Sequence, residues 1–336
     1  MIQKKFSNIF KNNQINDIKN IEIKKNTGNN CIYELTTSTN KLILKEFLLS
    51  KNDNFSRIKN EVIFLSYANK YCGKFTPKIL DFDYENNLVL YEYIDGKKLL
   101  PHDINEITIN QAINFFKDLN LYRNNVKNIS PAKDSCKSIG SHINLINNRV
   151  ESINKYCFNK VPNKLLLRLN VLWNKIVDKI KSDCIKLNID ISYTLSDSEI
   201  CLSPSDFGFH NCLMANNNQL IFFDFEYAGW DDPAKLVGDF FSQISVPVCQ
   251  SHFEFFANEI NGIFNIQNGI ERINILRYAY RLKWICIVLN IFDNEIMNRR
   301  LFSNPELKIN DLRNEKILKA NQMIKNLESE ISYESN

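Results

Sequence analysis

Conformational punctuation is scarce in this chain: 336 residues contain nine glycines and eight prolines. That excludes a collagen-like repeat or a long flexible linker, and no internal repeat is visible. The nine cysteines, at 31, 72, 136, 157, 184, 201, 212, 249 and 286, form no CxxC pair, and histidines number four. Such a set lacks zinc-site spacing and reads as the reduced thiols of a cytoplasmic protein. No apolar run approaches the ~20 residues of a membrane-spanning helix; the stretch 284–292 is short and broken by Asn290. The opening MIQKKFSNIF is basic without the apolar stretch of a secretory signal. Charge of one sign is also missing. The formal net charge is +4, with lysines spread along the chain, whereas nucleic-acid binders concentrate them on one face or arm. Neither a membrane nor a nucleic acid is expected as partner.

What is present suits a core: 44% hydrophobic and 24% charged residues. Residues 21–24, 31–37 and 41–47 are β-branched and aromatic runs separated by turn formers. A helix is expected over 55–71, then strands at 79–84 and 88–93. Beyond Asp95-Gly96 the apolar period becomes helical over 109–122, 165–180, 253–264, 273–292 and 317–331. Strand-like islands interrupt it at 200–202, 213–215 and 220–223. The expectation is an α+β chain: a loose segment 1–19, a small antiparallel N-lobe 20–95 and a larger, mainly helical C-lobe 96–336.

The chemistry concentrates in two stretches. Residues 203–211 read Ser-Pro-Ser-Asp-Phe-Gly-Phe-His-Asn, and 224–233 read Asp-Phe-Glu-Tyr-Ala-Gly-Trp-Asp-Asp-Pro. If the intervening turn centres between Asn217 and Asn218, antiparallel partners sum to 435, which sets Asn211 opposite Asp224. Paired Cβ atoms lie ~5 Å apart, a spacing for two oxygen ligands on one Mg²⁺. Asp206 stands five residues before Asn211, in the loop leaving a strand. Phosphoryl transfer needs this set: metal ligands at the phosphates and a carboxylate that orients a hydroxyl and takes its proton. Singly, Asp206 and Asn211 read as turn caps; the three together favour the chemistry.

The DxxxxN spacing and the Asp-Phe-Glu-Tyr segment resemble the aminoglycoside phosphotransferase and choline kinase superfamily, whose fold is protein-kinase-like and two-lobed. The resemblance runs from about residue 20 onward. It implies Mg-ATP as cofactor, Asp206 as catalytic base, and Asn211 and Asp224 as Mg²⁺ ligands. Lys45, ending the run Leu-Ile-Leu-Lys, stands where similar kinases carry a phosphate-binding lysine. Glu61 shares a helix face with Ile58, Leu65 and Ala68, so it needs a partner; Lys45 is one candidate and Arg57, at i−4, the other. The turn holding Gly28 and Asn29 would lay N–H groups over phosphates. By the same resemblance, backbone groups of Glu92, Tyr93 and Ile94 would meet adenine.

Candidate acceptor-binding residues are Glu226, Tyr227, Trp230, Asp231, Arg281 and Trp284, able to take an ammonium group or stack on a sugar. The competing readings make Trp230 a core residue, Asp232 a helix cap and Arg281 a snorkelling side chain. The acceptor is a small-molecule hydroxyl, with a sugar or sugar-like precursor favoured beside choline, ethanolamine or an aminoglycoside. Pro204 stands where the family usually has His, and Leu236, Asp239 and Phe240 replace residues usual in choline kinases. A nucleotide-binding protein without turnover is therefore the alternative.

Overall fold

Alternation in β3 (Lys41–Phe47) decides how the first sheet is covered. Leu42 and Leu44 point one way, Ile43 and Lys45 the other. In the computed structural model, which describes residues 5–24, 30–48, 56–126 and 128–334, this strand is central. The antiparallel order is β1 (Asn20–Lys24), β2 (Asn30–Thr36), β3, β5 (Leu88–Glu92), β4 (Ile79–Asp83). Tyr33, Leu44 and Leu90 fall in register on one face; Ile32, Lys45 and Val89 lie on the other.

The first of these faces corrects one expectation. Residues 1–19 read as a loose segment, but α1 (Ser7–Asn12) lies on the sheet, with Phe6, Ile9 and Phe10 buried against Tyr33, Leu35, Leu44, Leu88 and Leu90. Polar composition hid it: three apolar side chains on one helical face are enough to cover an otherwise exposed sheet. On the opposite side Tyr91 reaches α2 (Arg57–Cys72) through Glu61. The expected strands and helix of this region lie within two residues of the observed ones.

The chain gathers into two compact units, each discontinuous in sequence. The first comprises 1–133, 204–230 and 299–305; the second 134–203, 231–298 and 306–336. In the first, β6 (Gly96–Lys98) pairs with a later hairpin, and α3 (Glu106–Leu121) packs Phe115 on Phe222 and Phe225. In the second, α4 (Ile139–Cys157) and α5 (Asn163–Lys186) precede β7 (Cys201–Ser203). Later come α6 (Pro233–Ser242), α7 (Phe253–Asn261) and α8 (Gly269–Leu289); α9 (Asn294–Ser303) leads to α10 (Ile309–Glu334). Helix α8 is apolar nearly all round because α4, α5, α6, α7 and α10 all pack on it. Gly238 of α6 is required there, since a Cβ would lie 2.5 Å from the Tyr280 ring. The fold class is the expected one, an antiparallel sheet followed by a mainly helical region. Among the described residues no helix is long and apolar enough to cross a membrane.

Candidate active site

The hairpin β8 (Cys212–Ala215) and β9 (Leu220–Phe222) pairs Cys212 with Phe222, so partners sum to 434, not 435. The reason is turn chemistry. The loop has three residues, Asn216 to Asn218, with Ala215 and Gln219 bonded across it and Asn218 left-handed at φ 61°. Gln111 of α3 holds this register, donating to Asn218 O (3.0 Å) and accepting from Leu220 N (2.9 Å). Asn211 therefore pairs with Phe223, whose N–H donates to its carbonyl at 3.1 Å. Asp224 lies one residue past the ladder, with φ 69°. Nor does Glu226 continue a strand, because Ala228 N closes a turn on Phe225 O.

The loop before the hairpin is held from inside. Asp206 N–H donates to Pro204 O (2.9 Å) across Ser205, a non-glycine at φ 66°. Backbone strain of this kind, ~1–3 kcal/mol, persists where surroundings over-determine it. The Asn211 amide donates to Asp206 O at 3.0 Å. His210 Nε2 lies 3.1 Å from Asp206 Oδ1, whose side chain is 41% exposed and so meets solvent. Burial pulls the His210 pKa down, but Asp206 outweighs it and the net shift is upward.

On the sheet face of Lys45, its ammonium bridges two carboxylates, Glu61 Oε2 and Asp224 Oδ1, both at 2.6 Å. Of the two partners weighed for Glu61, Lys45 is the one it meets; Tyr91 Oη also donates to Glu61 at 2.7 Å. Burial alone would lower the Lys45 pKa, yet Asp224, Glu61 and Glu226 raise it well above its ordinary value. Glu61 is pushed up to about 7 by burial, against the pull of Lys45. Arg57 turns elsewhere. Its guanidinium, 4% exposed, lies 3.2 Å from Asn30 Oδ1, 3.4 Å from Glu226 and bonds the carbonyl of Leu48. Asn30 donates to Glu226 at 2.7 Å, and Asn60 donates to the carbonyls of Glu226 (3.1 Å) and Ala228 (2.7 Å).

Arg57, Asn30 and Asn60 were not singled out as site residues by sequence, because their partners lie up to 196 residues away. Replacing Arg57 with Met strands the Glu226 carboxylate in the interior and should cost about 3–5 kcal/mol. Arg57→Met combined with Glu226→Gln should recover more than half of that loss in urea melts. A double variant no more stable than the single would sink the pairing.

Oxygens of Glu61, Asp224 and Glu226 come within 4.8 Å of one another. Among the described residues, three carboxylates face two cations, Lys45 and Arg57, a surplus of one negative charge. Burial first, then Glu226 and Asp206, raise the Asp224 pKa in spite of Lys45. An all-oxygen donor set with surplus negative charge fits a hard divalent cation such as Mg²⁺.

The remaining candidates are dispersed. Gly28 and Asn29 lie outside the described residues. Glu92 N–H donates to Lys78 O (3.1 Å), Ile94 is half-buried, and Lys41 Nζ lies 5.0 Å from the Tyr93 ring centroid. A hollow of about 580 Å³ borders Glu92 and Tyr93. Its lining takes Leu42 from the sheet face opposite Lys45 and Lys41 from the same face as Lys45. Tyr227 carries Lys133 Nζ 4.6 Å from its ring centroid. Trp230 is half-buried, its carbonyl accepting from Ala132 N at 3.0 Å.

Within the second unit, Asp231 is a correction. It is 0% exposed and bonded to Lys235 and to the N–H groups of Cys136 and Asp232, so burial makes it a counter-ion and closes it to an acceptor. Arg281 pairs with Glu330. Trp284 Nε1 donates to Asp239 Oδ1 at 2.8 Å, and Lys283 donates to both Asp239 oxygens at 2.8 Å. Asp232 caps α6 through Ala234 N (2.8 Å), as its place before Pro233 suggests, and also holds Arg272 and His142.

No protein-family model and no curated protein sequence matches this chain. Solved structures do. Choline kinase LicA from Streptococcus pneumoniae is 15% identical, with 97% of this chain and 98% of that one covered at a TM-score of 0.60. Choline kinase from Cryptosporidium parvum is 12% identical, with 93% and 90% covered at 0.56. Ethanolamine kinase from Plasmodium vivax is 16% identical, with 95% and 87% covered at 0.53. Aminoglycoside phosphotransferases also match, among them a spectinomycin phosphotransferase crystallised with ADP and spectinomycin. These are the families the sequence motifs resemble, and the fold is their protein-kinase-like fold.

Proposed function

We propose that the chain transfers the γ-phosphoryl group of Mg-ATP to a hydroxyl of a small molecule. The observation that carries the reading is Lys45 bridging Glu61 and Asp224, with Asp206 on a strained, solvent-reaching loop of the same unit. The structural neighbours add support: they are choline, ethanolamine and aminoglycoside kinases, several of them crystallised with AMP or ADP. Residues 20–95 would carry the nucleotide site; the rest would supply the catalytic loop and the acceptor groups.

Lys45, held by Glu61, would place its ammonium against the ATP phosphates. Asn211 and Asp224 would hold Mg²⁺, which when bound neutralises charge on the phosphates. Asp206, positioned by His210, would orient the acceptor hydroxyl and take its proton as the new O–P bond forms. The bond from the γ-phosphorus to its bridging oxygen breaks, and ADP leaves with that electron pair. A sugar or sugar-like acceptor is favoured over an amino alcohol or aminoglycoside.

The test is ADP release from Mg-ATP against a panel of sugars, amino alcohols and aminoglycosides. Stimulation by one class supports the transferase. Nucleotide binding with no acceptor-dependent ADP would favour a binding protein without turnover, for which Pro204 is the supporting feature.

A further inference from the structure

Helix α2 reaches both charged groups of the Lys45–Asp224 pair from adjacent positions. Glu61 accepts from Lys45 at 2.6 Å. One residue earlier, Asn60 turns its amide into the bend that follows Asp224. Its Nδ2 donates to Ala228 O (2.7 Å) and Glu226 O (3.1 Å), with Phe225 O at 3.4 Å, while Ala228 N closes the bend on Phe225 O (3.0 Å). Arg57 and Phe64 add to the grip. The guanidinium lies 3.4 Å from the Glu226 carboxylate, and the Phe64 and Phe225 ring centroids are 5.4 Å apart. Residues 57, 60, 61 and 64 are spaced i, i+3, i+4, i+7, so one helix face carries all four contacts.

Asp224 stands between this bend and the hairpin ladder, which ends where Phe223 N donates to Asn211 O. It is a non-glycine at φ 69°, a backbone that persists only where both flanks are fixed. The ladder fixes one flank. On the other, three carbonyls converge on one side-chain amide of a residue only 9% exposed, and losing that donor would leave them short of a partner. We infer that Asn60 is a positioning residue: by clamping residues 225–228 it holds Asp224 left-handed and so aims its carboxylate at Lys45. Without the amide the bend opens, Asp224 relaxes toward negative φ, and its carboxylate leaves the place proposed for Mg²⁺. Lys45 stays on Glu61. The inference rests on the phosphotransferase reading for what Asp224 binds, and goes beyond it in naming what holds Asp224 in place.

The test is calorimetry of ADP binding to the full chain, once in EDTA and once in Mg²⁺, beside urea melts. Asn60→Leu removes the donor at nearly constant shape. Asn69→Leu is the control. Asn69 also donates twice, to Thr76 Oγ1 (2.9 Å) and Pro77 O (2.8 Å), but stands nine residues, about 13 Å, further along the same helix. Both variants should lose stability, and both should bind ADP in EDTA within about threefold of wild type. Mg²⁺ should tighten ADP binding by about tenfold or more in wild type and Asn69→Leu, and by less than about twofold in Asn60→Leu. Asn60→Ser, a shorter donor, should fall between; if Asn60→Leu does not fold, Asn60→Ser against Asn69→Ser makes the same comparison. An equal Mg²⁺ response in the Asn60 and Asn69 variants overturns the inference. A wild type that binds ADP with no Mg²⁺ effect, or binds no ADP, removes the phosphotransferase reading and this role with it.

Discussion

Asp206→Asn should lower acceptor-dependent ADP release by a factor on the order of 10²–10⁴ while leaving ADP affinity within about threefold. Proton transfer by a positioned carboxylate contributes that range. The substitution is close to isosteric, and His210 can still hydrogen-bond the new amide oxygen in place of Oδ1. Two bonds of the loop use only the Asp206 backbone, its N–H to Pro204 O and the Asn211 side-chain amide to its carbonyl, and these survive the change. Lys45 and Asp224 are untouched, so nucleotide binding reports separately from turnover. A variant keeping more than a tenth of wild-type turnover would remove Asp206 from the base role.

The second large effect concerns stability. Asp232 is 0% exposed and accepts from Arg272 Nε (2.8 Å), His142 Nε2 (2.8 Å) and Ala234 N (2.8 Å). Asp232→Ala leaves a guanidinium and an imidazole in the interior without a counter-charge, at a cost of about 3–5 kcal/mol. With 2–4 °C per kcal/mol for a unit of this size, thermal melts should fall by about 10 °C. A fall under 3 °C would show that the pocket admits water instead.

The same group predicts pH dependence. Burial pulls the His142 pKa down, but Cys136 and Asp232 outweigh it and set it at about 9. Its stabilising contribution is full below the ordinary histidine value near 6.5 and is lost as pH rises through about 9. A shift of that size corresponds to about 3 kcal/mol. Asp232 moves the opposite way: Arg272 and His142 hold it below the usual carboxylate range despite burial. Its contribution is present above the ordinary aspartate value and fades as pH falls beneath it. Urea melts of the wild type and His142→Gln should therefore diverge near pH 6 and converge near pH 10. A difference that stays constant across that range would rule out a charged His142.

Much of the first unit was legible because its signals are local. The apolar run Leu-Ile-Leu-Lys placed Lys45 at the end of a strand, and the stripe Ile58, Glu61, Leu65, Ala68 placed Glu61 on a buried helix face; the two meet at 2.6 Å. Helix α4 carries a weaker local signal. Its buried Ile139, His142, Ile146, Val150, Ile153 and Cys157 keep a helical period, diluted by intervening asparagines. The hairpin register slipped by one because four polar residues allow two turn lengths, and the choice depends on a left-handed Asn218 and on Gln111 from a distant helix.

By itself the sequence determined which residues face inward, where the strands and most helices run, and the local spacing of Asp206, Asn211 and Asp224. Only tertiary structure decided which charge answers which. Glu226 and Asp231 both read from the sequence as candidate acceptor groups, yet each is buried on a basic partner, Arg57 or Lys235. Periodicity assigns a residue to a face within one element. A buried charge takes whichever opposite charge the packing brings within about 4 Å, and the chain distance between them does not enter.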